Sequence, residues 1–438
     1  VRLRPGRRSA AHDAVVPDAG AAPARAAADL VAPAEAAVAV RAARAKTKQV
    51  WAVVAVVVAS RLLVLMLGGL TFAVATTARR PLAGTIALKA GGSLFAQHSA
   101  LGLLFGPWTN WDASWFISIA SHGYVRPGSP AFLPLYPLTM RALAPLTGGR
   151  YAIAGVLLSL LFFGVACVLL YKLVAEEFSP RAGLWAVVFL SVFPTSFYFQ
   201  AVYSESLFLL ASLACFLWSR RGRWWLAGLA GAAATLTRDS GLLLLVPLAL
   251  YYLHARKWRL RSVDAHAGSL LLLPAALGIY MAYLAVHFGR PLYFAQAEAG
   301  WGRRLTFPLL TIYRGTLDFA HAAHGLLFSP GGKLTDEFTI VAFAALVALL
   351  GLIVLGWRRL PAPYTAYAAL TLLVPLCFPT PTPVLTSLAR FVLVAFPLYI
   401  VLALVAVRRP RLGLALAFVS LAGLCWLTVE FALRQFVA

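Results

Sequence analysis

The sequence predicts an all-α polytopic membrane protein, a bundle of about eleven transmembrane helices with a long first external loop carrying interfacial helices. Three observations predict it. Of 438 residues, 61% are hydrophobic and 12% charged, whereas a soluble domain carries about a quarter charged residues. Apolar runs near twenty residues long recur, without the short alternating segments of a β-barrel. Basic residues fall in alternate short loops between those runs, the pattern of a chain whose positive loops stay cytoplasmic.

The net charge of +23 follows from those loops. The basic residues set topology and touch anionic lipid, so membrane lipids are expected partners and nucleic acid is not. Cys167, Cys215, Cys377 and Cys425 lie far apart inside apolar runs. They show neither metal spacing nor a disulfide framework and read as packing residues.

Taken in order, residues 1–47 are rich in Ala, Arg and Pro and lack an apolar period. They read as a disordered basic cytoplasmic tail before a membrane domain at 48–438. No signal-peptide pattern with a cleavage site precedes the first span, 50–72. A loop at 76–150 follows, on the outer side. Within it, 110–121 reads as a short helix lying at the interface, with Asn110 as N-cap and Gly123 as C′. Asp112, Trp115, Phe116 and Ile119 then share one face. Trp108, Trp111 and Trp115 fit an aromatic belt or the wall of a site. An acid on the apolar face of such a helix is costly, which favours function for Asp112. In Phe132-Leu133-Pro134-Leu135-Tyr136-Pro137 the prolines should delay any helix until about Leu138.

Spans at 153–173, 183–199 and 203–218 come next. Phe193-Pro194 and Tyr203-Ser204-Glu205-Ser206 bracket a tight external turn after the third span. Glu205 opens a helix, where a carboxylate contributes about 0.3–1 kcal/mol; the alternative role is to bind substrate hydroxyls or orient a basic residue. The spans 224–236 and 241–252 are separated by Thr237-Arg238-Asp239-Ser240-Gly241. Each half is about 20 Å of helix against a hydrocarbon core of about 30 Å. The polar tip should therefore sit in a cavity rather than in lipid. Arg238 and Asp239 are either a self-satisfied ion pair or part of a site, and a guanidinium suits phosphate oxygens.

The remaining spans are 269–286, 338–355, 364–376, 391–407 and 412–431. The external loop 287–337 carries Trp301-Gly302-Arg303-Arg304, read as an interface anchor, with phosphate binding as the alternative. The external segment 379–390 ends at Arg390, which either snorkels to the interface or binds phosphate. The basic clusters agree on an N-terminus inside and a C-terminus outside, and nearly every polar group capable of chemistry then falls on the outer face. No P-loop, dinucleotide fingerprint or nucleophile elbow is present. A group donor used on that face should be lipid-linked. His122, His287, His321 and His324 form no metal pattern, so no cofactor and no divalent metal are indicated.

These motifs together resemble one family. Trp111-Asp112-Ala113 with Ile119-Ala120 and His122-Gly123-Tyr124, Phe132 through Pro137, Phe193-Pro194, Tyr203 through Phe208, and Leu236-Thr237-Arg238 with Gly241 look like PIG-V-type mannosyltransferases. Trp301 with Phe307-Pro308, and Ser387 through Phe391 with Pro397, look like its later blocks. The similarity runs from about residue 50 to 410. The resemblance implies a GT-C glycosyltransferase, a multi-pass protein of the cytoplasmic membrane with an extracytoplasmic active site. Such enzymes move a sugar, here mannose, from a polyprenyl-phosphate carrier to a lipid or glycan acceptor. By this resemblance Asp112 is the catalytic base. Trp111, His122, Tyr136, Tyr203, Ser204, Glu205, Arg238, Asp239 and Arg390 are the substrate-binding candidates. The expected chemistry is an inverting displacement, with Arg238 or Arg390 stabilising the departing phosphate. In eukaryotes the family adds the second mannose of the GPI anchor. The Ala/Arg/Val/Pro bias points to a GC-rich bacterial genome, so that acceptor is not carried over. The competing class is a transporter or flippase of a lipid-linked or amphipathic substrate, against which the long external loop argues.

Overall fold

The computed structural model describes residues 21–77, 99–328, 334–381, 383–435 and 437, with the backbone alone for 21–46, 76 and 334–336. The chain divides into two compact units, Val1–Trp51 and Ala52–Ala438. A long helix, α1 (Ala21–Thr77), starts within the segment expected to be an irregular tail. Its alanine-rich start has the highest intrinsic helix propensity, and that local term needs no apolar period.

The regular secondary structure of the described residues is all helix, without a strand. Five helical stretches are long and apolar enough to cross a membrane: Thr47–Ala75, Tyr151–Glu177, Ala265–Phe288, Glu337–Trp357 and Pro410–Ala432. Shorter apolar helices complete the bundle, and the spans read from the sequence fall largely on helices, those at 183–199 and 391–407 being interrupted. The chain is a polytopic membrane protein.

The segment read as the first external loop holds short helices: α2 (Ala100–Phe105), α3 (Ala113–His122) and α4 (Leu135–Leu143). Two expectations are corrected here. The N-cap of α3 is Asp112, not Asn110. Asn110 instead donates its side-chain amide to the Phe431 carbonyl at 2.9 Å, tying the loop to the last helix. Helix α4 begins at Leu135 rather than near Leu138, because Pro137 sits in its first turn, where N–H groups have no intrahelical acceptor. Trp108 is not in an aromatic belt. It is wholly buried and stacked on Phe431 with ring centroids 6.5 Å apart. Gly68 of α1 makes room for it, since a Cβ there would lie 2.6 Å from the indole.

The body follows with α5 (Tyr151–Glu177), α6 (Pro180–Val192), α7 (Glu205–Arg220) and α8 (Trp224–Thr237). Arg61, buried in α1, closes the end of α6. It donates to the Ser191 carbonyl at 2.9 Å and to the Ser196 carbonyl at 2.7 Å, where a cation meets the negative end of the helix. The two ends of α7 differ in character. Glu205 opens it, and at its other end Arg220 pairs with Glu177 and Glu176. Its 16 residues separate the two by about 24 Å, so the polar cavity described below and this basic loop lie at opposite ends of the helix.

The broken span forms as read. After α8, Arg238 is extended, residues Asp239–Leu244 make a tight 3₁₀ turn, and α9 (Leu245–Ala255) continues. Gly241 permits the turn, because a Cβ would lie 2.4 Å from the backbone of Ala234 and Thr235. Next come α10 (Leu272–Phe288) and α11 (Tyr293–Ala299). The loop expected at 287–337 then holds a 21-residue helix, α12 (Pro308–Phe328). Its face is interrupted by Arg314, Asp318, His321 and His324, so length and hydropathy alone do not reveal it. Helices α13 (Leu334–Trp357) and α14 (Ala362–Cys377) precede a short helix, α15 (Leu388–Val392). The span read as 391–407 is split between α15 and α16 (Pro397–Arg408), since Pro397 restarts the helix. Helix α17 (Pro410–Ala432) ends the bundle.

Candidate active site

Elements far apart in sequence meet at one cavity of about 210 Å³. It is lined by Asp112, Tyr203, Ser204, Glu205, Arg238, Asp239 and Arg390 among the residues singled out from sequence. Each arrives on an interrupted element: the start of α3, the start of α7, the break after α8, and the five-residue α15. Helix ends and breaks can aim backbone and side chains inward at membrane depth only where a cavity receives them.

The charges are joined in a chain. Arg390 Nη1 donates to Asp112 Oδ2 at 2.7 Å, and Arg390 Nε lies 3.3 Å from Glu205 Oε1. Arg238 Nη1 donates to that same Glu205 oxygen at 2.8 Å. Glu205 is 1% exposed, and its Oε2 has no hydrogen-bond partner among the described residues. Buried charges persist when paired, and here two guanidiniums face two carboxylates. Glu205 is therefore more than a helix-start charge. The alternative anticipated for Arg238–Asp239, a self-contained pair, does not form: Arg238 pairs with Glu205, and the exposed Asp239 caps the Ser240 N–H at 2.7 Å.

Asp112 is held from behind. Its backbone N–H donates to Tyr203 Oη at 3.2 Å, and that hydroxyl donates to the Asn110 carbonyl at 3.1 Å. Trp111 between them has a φ of +57°, in the left-handed region. The turn frees the Asp112 carboxylate from capping its own helix, and it reaches Arg390 instead.

Phe391 separates the cations. Arg303, Arg390 and Arg238 stand 4.6, 5.2 and 5.3 Å from its ring centroid. The ring face is attractive to each guanidinium and keeps like charges apart. Phe116, Phe132 and Trp301 give the opposite wall, with Phe132 and Trp301 centroids 6.3 Å apart.

Sequence reasoning missed Glu298 and misplaced Trp301 and Arg303, all of which line the cavity. The short α11 and the loop after it carry no periodic pattern, so only the resemblance at Trp301 could have pointed there. The Glu298 carboxyl is pushed up to about 7, first by burial and then by the Asp239 charge, against the pull of Arg303 and Arg238. Three candidates are not brought to the cavity. His122 is exposed at the end of α3, bonded to Ser121. Tyr136 is buried in the core, its hydroxyl bonded to the Gly155 carbonyl and to Ser159. Trp111 is half-buried beside the turn and not among the lining residues.

Residues 49–260 match the family described as Mannosyltransferase (PIG-V). The chain is 34% identical over 149 residues to GPI alpha-1,6-mannosyltransferase 2 of Mus musculus, covering 32% of this chain and 30% of that protein. It is 34% identical over 158 residues to the Homo sapiens protein of the same name, covering 34% and 32%. It is 28% identical over 159 residues to GPI mannosyltransferase 2 of Schizosaccharomyces pombe, covering 35% and 34%. The matched stretch thus spans about a third of the length of these relatives. The segment 49–260, which supplies Asp112, Glu205, Arg238 and Asp239 to the cavity, matches the PIG-V mannosyltransferase family, as the motif resemblance anticipates.

Proposed function

We propose that the protein is a membrane glycosyltransferase that moves a mannosyl residue from a polyprenyl-phosphate carrier to a lipid or glycan acceptor on the extracytoplasmic side. The observation that carries this reading is one cavity joining a carboxylate, Asp112, to three arginines and an aromatic wall at the end of an apolar bundle. The mannosyltransferase match over 49–260 supports the same class. A transporter has no need for a carboxylate braced by a hydroxyl and a positive-φ turn in an external loop.

In the proposed reaction the acceptor hydroxyl oxygen attacks the anomeric carbon of a β-linked mannosyl phosphate. The bond from that carbon to the phosphate oxygen breaks, and its electron pair leaves with the phosphate. Asp112 takes the hydroxyl proton. Arg390 holds the Asp112 carboxylate in place, and Arg238 does the same for Glu205. The phosphate changes from a diester monoanion to a monoester dianion, so cations in a water-poor cavity favour the transition state over the ground state. A phosphate leaving group needs little protonation, so one carboxylate suffices. Phe116, Phe132 and Trp301 offer apolar faces to the sugar ring.

The test is donor dependence with purified protein in lipid. Transfer is expected from a polyprenyl-phosphate mannose and not from GDP-mannose. Efficient transfer from GDP-mannose without any lipid carrier would overturn the donor assignment.

A further inference from the structure

Resting on that donor reading, we propose that Arg303, on the loop between α11 and α12, is the residue that grips the donor phosphate. Arg238 and Arg390 instead position carboxylates. The argument is one of which cations are already engaged. Arg390 is bonded to Asp112 and faces Glu205, and Arg238 is bonded to Glu205. A guanidinium that spends its donors on carboxylates has fewer to offer a ligand. Arg303 lines the same cavity, yet among the described residues it makes no ion pair and no hydrogen bond. The Phe391 ring lies 4.6 Å from its guanidinium carbon.

That contact fixes where Arg303 can act. The guanidinium carbon sits over the ring, and the donors around it suit a planar bidentate grip on two phosphate oxygens. Arg238 and Arg390 are paired with Asp112 and Glu205. The other charged groups on the lining are Arg303, Asp239 and Glu298; Asp239 is exposed and bonded to the Ser240 N–H, and burial pushes the Glu298 carboxyl up to about 7. Arg303 is thus the lining arginine outside the paired group, and a phosphodiester monoanion would give it a partner. Arg303 gains further attraction as the carbon–oxygen bond breaks and the electron pair leaves the phosphate a dianion, the proton having gone to Asp112. Burial also makes the unpaired guanidinium itself costly, lowering its proton affinity, and an anionic ligand relieves that cost.

The probes are farnesyl phosphate, its β-mannosyl ester as donor, and farnesol as the uncharged tail. For Arg303→Ala, donor KM and the farnesyl phosphate inhibition constant are expected to rise together by about 10- to 100-fold, the loss of a charge-assisted contact. Acceptor KM should stay within about twofold, and farnesol should bind wild type and variant alike. Arg304→Ala, one residue on and outside the cavity, is the control and should leave donor KM unchanged. Should Arg303→Ala fail to fold, Arg303→Lys and Arg303→Gln decide, because the lysine must bind farnesyl phosphate more tightly than the glutamine. Unchanged donor KM and inhibition in Arg303→Ala, or equal binding by the lysine and glutamine variants, overturns the assignment. Equal competition by inorganic phosphate would show a free-anion site and overturn it also. A wild-type protein that neither binds farnesyl phosphate nor uses its mannosyl ester refutes the donor reading itself, which is a different result from indifferent Arg303 variants.

Discussion

Glu205→Gln separates a helix-start charge from the hub of the site. In the first role the carboxylate contributes about 0.3–1 kcal/mol. In the structure its Oε1 accepts from Arg238 at 2.8 Å and lies 3.3 Å from Arg390 Nε, with the side chain 1% exposed. Removing one partner of a buried ion pair costs about 3–5 kcal/mol, because the other charge is left uncompensated. Glutamine keeps a neutral acceptor, so the low end, about 3 kcal/mol, is expected. Equilibrium unfolding in mixed micelles would measure it for wild type, Glu205→Gln and the double variant Glu205→Gln with Arg238→Gln. The double variant removes the orphaned guanidinium and should regain about 1–2 kcal/mol, a coupling typical of residues in contact. A loss below 1 kcal/mol, with no recovery in the double variant, would refute the hub and leave Glu205 as a cap.

Two further outcomes follow from the cavity and the chain's sidedness. Glu298 ionises near pH 7, so raising pH through that value places an anion beside Arg303 and the donor phosphate. Donor KM should therefore rise with pH across 7 in wild type and become flat in Glu298→Gln; an unchanged pH profile in the variant counts against Glu298 facing the donor. The opposed ends of the broken span predict that a cysteine at Asp239 reacts with an impermeant reagent from outside, and one at Arg256 only from the cytoplasm. The reverse pattern would contradict an extracytoplasmic site.

Much of the bundle was legible because burial in lipid demands length and apolarity, both local properties of sequence. The short pair around Arg238 could be read for the same reason: two halves each too short to span must end in a cavity. Helix α12 escaped because Arg314, Asp318, His321 and His324 break its apolar face into an amphipathic stripe. The pairing of Asp112 with Arg390 spans 278 positions, and no local spacing encodes it. Glu298 and Arg303 stand on a short helix and a loop without period, so their chemistry appears only when the fold closes over them. His122 and Tyr136 show the converse: both were read from the motif resemblance, yet His122 is exposed at the end of α3 and the core engages the Tyr136 hydroxyl, so neither lines the cavity. Asp112 was singled out for a physical reason, the cost of an acid in an apolar interfacial setting, and the structure adds the Arg390 pair that compensates that cost.

The most direct test is mannosyl transfer by Asp112→Asn at matched membrane abundance, with the β-mannosyl ester of farnesyl phosphate as donor. Asparagine keeps the size of the side chain and an oxygen for Arg390 but cannot take the acceptor proton. Removing a general base lowers rates by about 10²- to 10⁴-fold, so kcat should fall by that factor while farnesyl phosphate still binds. Near-normal turnover in Asp112→Asn would contradict the account, since the base at the centre of the cavity would then be another residue.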